Sequence, residues 1–163
     1  MEPAAKPART MPATHPAMIV ATVCGVGLLP GAPGTWGSLA AAIIAWFVAP
    51  GLGIAGLILL AAFLFVLGCW VADAAARASL RTDPGFVVVD EVVGQFLVLA
   101  LSPHTVLGFG AGFILFRFFD IVKPWPIKAL EKQRHPGFGI MIDDVGAAVY
   151  AGFALYLGRK LLG

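Results

Sequence analysis

Charged side chains are so sparse along this chain that they mark out its elements. No Asp, Glu, Lys or Arg occurs from Thr10 to Ala72. A membrane-crossing helix needs about 20 apolar residues, so this run has room for several passes or re-entrant pieces. Met18–Leu29 is apolar but short. Pro30-Gly31-Ala32-Pro33-Gly34-Thr35-Trp36-Gly37-Ser38 is dense in turn-formers. Leu39–Val48 then reads as a helix with Thr35 or Ser38 as its N-cap, Pro50-Gly51 breaks it, and Leu52–Ala72 is the clearest spanning helix.

Asp73–Gly85 is a polar loop with room for an extended helix end before Asp83-Pro84-Gly85. Phe86–Leu101 is apolar apart from Asp90, Glu91 and Gln95. Val87–Val89 alone reads as strand, but an open strand edge cannot sit in lipid. Ser102-Pro103 turns the chain, and Thr105–Val122 returns as a helix that ends before Lys123-Pro124, because the residue preceding proline is pushed out of the helical region. Pro124–Gly139 is a basic loop with room for a short surface helix, and Asp143–Leu157 is the last helix. Residues 1–16 hold four prolines and read as a flexible tail; residues 17–163 read as one helical domain.

The expected fold is therefore all-α: a compact multi-helix bundle, integral to a membrane, with several short or re-entrant apolar helices. Hydrophobic residues make up 60% of the chain and charged residues 12%, with a mean hydropathy of +0.91. A soluble helical domain would need more polar surface than this. The net charge of +2 is too small to argue for nucleic acid. The basic residues fall at Lys6 and Arg9, Arg77 and Arg81, Lys123, Lys128, Lys132 and Arg134, and Arg159 and Lys160. The positive-inside rule puts the basic loops in the cytoplasm. Two hairpins, Leu39–Ala72 and Phe86–Val122, satisfy that rule, whereas a last helix leaving the same side carries Arg159 and Lys160 outside, against it. Cys24 and Cys69 suggest neither a disulfide framework nor a zinc site.

Against this background the acids stand out. Asp90 and Glu91, Asp120, and Asp143 and Asp144 lie inside or at the ends of apolar segments, where a carboxylate costs roughly 2.5–3.5 kcal/mol at the bilayer centre. In the expected topology all three points fall on one side, so three helix ends can meet at one depth. Neighbouring helical residues point about 100° apart, so one member of each pair is expected to face a shared site. Hard oxygen donors without a His–Cys cluster favour Mg²⁺. First-turn acids also suit the helix dipole, and Asp120 can pair with Arg117; either explains one acid, not three converging groups.

Two further segments suit phosphate. The glycines of Pro30–Ser38 let backbone N–H groups turn toward an anion before a helix begins, although the segment lacks the Gly-Lys-Ser/Thr of a P-loop; a plain re-entrant turn fits it as well. Lys123 follows Asp120 in a proline-stiffened stretch and is placed to neutralise a phosphate, with Arg117 as a clamp; snorkelling anchors at a membrane border are the ordinary alternative. His135 stands in the loop before the last acids.

Together P-G-T-W-G-S at 33–38, D-E-V-V-G at 90–94, F-R-F-F-D-I-V-K-P-W-P at 116–126 and H-P-G-F-G-I-M-I-D-D-V-G-A at 135–147 resemble the phosphatidylglycerophosphatase A family. The similarity runs from about Gly25 to Tyr156. It implies an enzyme of the bacterial inner membrane, multi-pass with its site on the cytoplasmic side, that uses Mg²⁺ to remove the terminal phosphate of a phospholipid substrate, phosphatidylglycerophosphate, giving phosphatidylglycerol. The implied catalytic set is Asp90, Glu91, Asp120, Asp143, Asp144 and Lys123. Asp90 or Glu91, Asp120, and Asp143 or Asp144 would hold one or two ions, with Gly34, Thr35, Ser38, Arg117 and Lys123 toward phosphate or headgroup. Relatives of the family include soluble all-helical proteins.

Other chemistries fit less well. Neither cysteine begins a Cys-x5-Arg phosphatase motif, and no Pro-Ser-Gly-His element occurs. A CDP-alcohol phosphotransferase places its aspartates on consecutive turns rather than on three helices. An ion or proton transporter would carry its acids near the midplane and leaves the phosphate-friendly loops unexplained.

Overall fold

Helices account for all the regular structure described. The computed structural model describes residues 11–130 and 135–162, and among them there is no strand. The elements are α1 (Pro16–Ala21), a 3-10 turn (Val26–Leu28), α2 (Pro33–Ser79), α3 (Val89–Leu101), α4 (Val106–Val122), α5 (Ile127–Leu130) and α6 (Pro136–Leu162). Residues 1–10 of the expected tail, with Lys6 and Arg9, lie outside the described residues, as do Lys132 and Arg134. Met11 packs against the core, and the His15 ring nitrogen caps α1 by accepting from Ala17 N–H.

Several boundaries move relative to the sequence expectation, each for a local reason. α2 starts at Pro33, with Ala32 as N-cap. Thr35 and Ser38, expected as caps, are already helical, because proline at the first helical position is pre-set for the turn and its missing N–H costs nothing there. The break expected at Pro50-Gly51 falls instead at Gly53, whose φ of 64° and ψ of −175° belong to a region open to glycine. The polar segment from Asp73 opens as helix: α2 runs to Ser79, supported by an Asp73–Arg77 ion pair of 2.7 Å, and closes at left-handed Leu80. α6 likewise begins at Pro136, so Asp143 and Asp144 lie about two turns inside it rather than at its start. The α4 boundaries agree with the expectation, Thr105 capping its start by accepting from Gly108 N–H.

At Gly53 the chain reverses. Near its start, Gly37 lies against Val88 and Gly34 against Glu91 and Arg117. Trp46 stacks on His104 (4.4 Å) and meets Phe109 edge-on (5.1 Å), and Leu57 lies with Leu99 and Ala100. Farther on, Gly68 lies against Met141, and Cys69 and Asp73 against Gly137. Residues 33–52 and 54–79 are thus the two arms of a helical hairpin, both ends of which lie beside the first turns of α3 and α6. α3 runs away from that end, α4 returns to it, and α6 runs away again, so Arg159 and Lys160 lie at the opposite end, beside Pro103 and Thr105.

α3 forms the centre, with ten of its thirteen residues buried. Small residues let the other helices close on it: a side chain at Gly94 would strike Phe116 and the backbone of Asp144, and one at Gly112 would crowd Leu99 and Ser102. The outer faces remain apolar: Phe47, Leu59, Phe63, Val66 and Trp70 on α2, Leu107, Ile114 and Ile121 on α4, and Val149 and Phe153 on α6 are exposed. α2 and α6 are long and apolar enough to cross a membrane.

Candidate metal and phosphate site

The helix ends that carry the acids meet in a cavity of about 520 Å³. Its walls include Asp90 and Glu91 from the first turn of α3, Asp120 from the last turn of α4, Lys123 just after it, and Asp143 and Asp144 from α6. The loop after α2 closes the mouth with Thr82, Asp83 and Gly85, and Pro136 and Ile140 complete the α6 side.

Asp90, Glu91 and Asp144 each present one carboxylate oxygen, and the three atoms lie within 4.8 Å of one another. Both members of the first acidic pair therefore turn to the same point, against the expectation of one. Both stand in the first turn of α3, where no preceding helical turn encloses them. The second pair does divide. Asp144 joins the cluster, whereas Asp143 accepts a 2.5 Å ion-pair contact from Lys123 Nζ and a 3.0 Å hydrogen bond from Asp144 N–H.

Asp90 and Asp144 are buried and Glu91 nearly so, yet Asp90 Oδ1, Glu91 Oε2 and Asp144 Oδ2 have no hydrogen-bond partner. An unpaired buried carboxylate oxygen is costly, and three acids brought this close together compound that cost. Oxygens on one octahedral Mg²⁺ at about 2.1 Å lie about 3.0 Å apart when adjacent and about 4.2 Å when opposite, so the three side chains would draw together to enclose such an ion. The donor set, all carboxylate oxygen, fits a hard divalent cation. A first-turn position near the positive end of α3 favours Asp90 and Glu91, but it does nothing for Asp144, deep in α6.

Arg117 lies behind the cluster. Its Nη1 pairs closely with Asp120, stands 3.8 Å from Glu91 Oε1, and donates to Ser38 Oγ at 3.5 Å. The guanidinium thus holds two acids from the side away from the cavity and does not line it. Ser38 is fully buried and donates to Gly34 carbonyl at 2.9 Å. Gly34 is needed for space: a side chain there would run into the Glu91 carboxylate and Arg117. Thr35 lies in the same helical turn outside the cavity wall. Within the segment expected as a phosphate cradle, Pro30–Ser38, Gly34 and Ser38 thus pack against Arg117 and the acids from behind, whereas Lys123 stands in the wall itself. Lys123 adopts a left-handed conformation (φ 43°, ψ 64°) at the α4 C-cap, its N–H bonded to Phe119 carbonyl at 2.8 Å. That costs about 1–2 kcal/mol for a non-glycine residue and turns the side chain back over the helix end.

The sequence reading gave no role to Thr82, Asp83 or Gln95. Asp83 and Thr82 belong to the cavity mouth, and an acid in the turn Asp83-Pro84-Gly85 was the available signal. Gln95, one turn below Glu91, is fully buried with both amide atoms unpartnered. His135 is exposed and outside the cavity wall. Cys24 and Cys69 are free thiols away from the cavity.

The sequence model of phosphatidylglycerophosphatase A matches residues 19–159. The chain is 42% identical over 149 residues to the phosphatidylglycerophosphatase A of Haemophilus influenzae, covering 89% of this chain and 90% of that protein. It is 36% identical over 144 residues to the phosphatidylglycerophosphatase A of Escherichia coli, covering 88% and 83%. It is also 36% identical over 156 residues to a provisionally named phosphatidylinositol-3-phosphatase of Bacteroides thetaiotaomicron, covering 90% and 95%. No solved structure matches the chain.

Proposed function

Because the chain belongs to the phosphatidylglycerophosphatase A family, and is thereby a phosphatase, we propose that it hydrolyses the terminal phosphate of phosphatidylglycerophosphate, with the cavity around Asp90, Glu91 and Asp144 as its active centre. Water attacks the terminal phosphorus, the P–O bond to the glycerol oxygen breaks, and that oxygen leaves with a proton. The products are phosphatidylglycerol and inorganic phosphate. The observation that carries the reading is the meeting of one carboxylate oxygen from each of Asp90, Glu91 and Asp144 within 4.8 Å at the cavity wall, in acids that each also bury an oxygen without a hydrogen-bond partner.

Asp90, Glu91 and Asp144 would hold Mg²⁺. When bound, the ion supplies Lewis-acid stabilisation of phosphoryl charge and makes water a better nucleophile. The remaining work falls to the chain itself. Lys123 presents a fixed ammonium to the charge gathering on the phosphoryl oxygens, and Asp143 holds it there. Asp120, in the wall and braced by Arg117, is placed to take the proton of the attacking water. Arg117 also steadies Glu91. Among the described residues no Cys or His lines the cavity, so these offer neither a thiolate nor an imidazole nucleophile.

The apolar outer surface supports a multi-pass position in the bacterial inner membrane. Exposed apolar patches beyond a few hundred Å² mark an interaction surface, and here they ring the bundle. The arms of α2, with α4 and α6, would face lipid. α3, at thirteen residues or about 20 Å, is shorter than the roughly 30 Å hydrocarbon core and is shielded by the others, which recesses its acids below the bundle end. Arg77, Arg81, Lys123 and Lys128 cluster at that end and favour the cytoplasmic side, outweighing Arg159 and Lys160 opposite.

The test is phosphate release by purified protein in lipid nanodiscs loaded with phosphatidylglycerophosphate. Activity should require Mg²⁺, vanish with EDTA and return on adding the metal. Full turnover in EDTA would overturn the proposed ion, and no turnover on this lipid would overturn the substrate.

A further inference from the structure

A second cavity, of about 480 Å³, lies between the first arm of α2 and α4 and is lined without a charged residue. Leu39, Ile43 and Trp46 form one wall and Val106, Gly110 and Phe113 the other. These positions recur at helical spacing, so each wall can be followed toward the acid end of the bundle. On α2 the stripe continues from Leu39 to Thr35. On α4 it continues from Phe113 to Arg117 and Asp120. The groove therefore runs along the face of α4 that also carries Asp120 of the carboxylate cavity, with Arg117 and its contact to Ser38 standing between the two.

We infer that this groove seats an acyl chain of the lipid substrate while its terminal phosphate lies among the carboxylates. The inference rests on the lipid-phosphatase reading above and adds where the hydrophobic part of the substrate goes. Seven residues separate Phe113 from Asp120, about 10 Å along the helix. A terminal phosphate and the acyl chains of phosphatidylglycerophosphate are separated by a glycerol–phosphodiester unit of similar length. Charge agrees with this placement, since only apolar and aromatic side chains would meet the chain.

Two glycines give a clean test. A β-carbon on Gly110 meets nothing within 4 Å, so a side chain can begin there, and Gly110→Phe puts a ring into the groove and removes a poor helix former. Gly158 is equally open but lines a different cavity, between α4 and α6. Both variants are assayed on long-chain phosphatidylglycerophosphate and on a short-chain, water-soluble analogue. Gly110→Phe should raise KM for the long-chain lipid by about tenfold, equivalent to losing roughly two buried methylenes. It should leave the short-chain analogue unchanged, which also shows that the fold is intact. Gly158→Phe should alter neither. Equal behaviour of Gly110→Phe toward both substrates overturns the inference, as does selectivity that follows Gly158→Phe instead. A changed oligomeric state in Gly110→Phe would make the groove an interface between copies and also overturn it. Failure of the unmodified protein to act on either substrate would strike the phosphatase reading rather than the groove.

Discussion

The two acidic pairs look alike in sequence and are used differently. Asp90 and Glu91 stand in the first turn of α3, and both reach one point. Asp143 and Asp144 stand about two turns inside α6, buried among neighbouring turns and helices, and they separate, one to the cluster and one to Lys123. A helix start leaves room for adjacent side chains to bend together, whereas a packed helix body holds them at their angular spacing. One pair therefore supplies two oxygens to a shared centre, and the other supplies one oxygen together with a brace for the neighbouring cation.

The strongest way to break this comparison is to remove one cluster acid. Asp144→Asn should lower turnover by more than about 10³-fold, within the range for losing charge stabilisation at a reacting phosphoryl group, while circular dichroism stays helical. Mg²⁺ should raise the melting temperature of the unmodified protein by linkage and have little effect on this variant. Asp90→Asn and Asp120→Asn should be comparably inactive. Normal turnover in Asp144→Asn would remove the site.

Asp143→Asn should cost less, about 10- to 100-fold, as for residues that position a group beside a metal centre. Its effect should merge with that of Lys123→Gln, the double variant being little worse than either alone in a double-mutant cycle. Independent effects would separate Asp143 from Lys123. Gly34→Ala tests the packing behind the first pair. The added methyl displaces Glu91 or Arg117 and should lower turnover about tenfold, in line with about 1–3 kcal/mol for overpacking. Thr35→Val should change turnover by no more than about twofold, since surface changes outside the wall are small. A large loss there would restore residues 33–38 as a phosphate cradle.

Much of the architecture was legible in the chain. The 63-residue stretch without charge announced a hairpin, and Ser102-Pro103 and Lys123-Pro124 marked the limits of α3 and α4. The missed boundaries share a cause. Pro33 falls in an expected turn, Pro136 in an expected loop and Pro50 at an expected break, yet the first two begin helices and Pro50 sits within a helix whose reversal occurs at Gly53; proline's effect depends on which turn it occupies. The acids were legible because carboxylates in apolar segments are rare. Their division of labour was not, because it depends on how each helix is enclosed. The role of Gly34 was hidden for a similar reason: a glycine kept for space looks like one kept for a turn until its neighbour is known.

Gly137 has a consequence for how the protein can vary. Its α-carbon lies so near the main chain of Cys69 and Asp73 that no side chain fits. That crossing fixes the rotational phase of α6 one full turn before Ile140 and before either acid. The stretch leading into it can therefore lengthen, shorten or change composition without rotating Asp143 and Asp144.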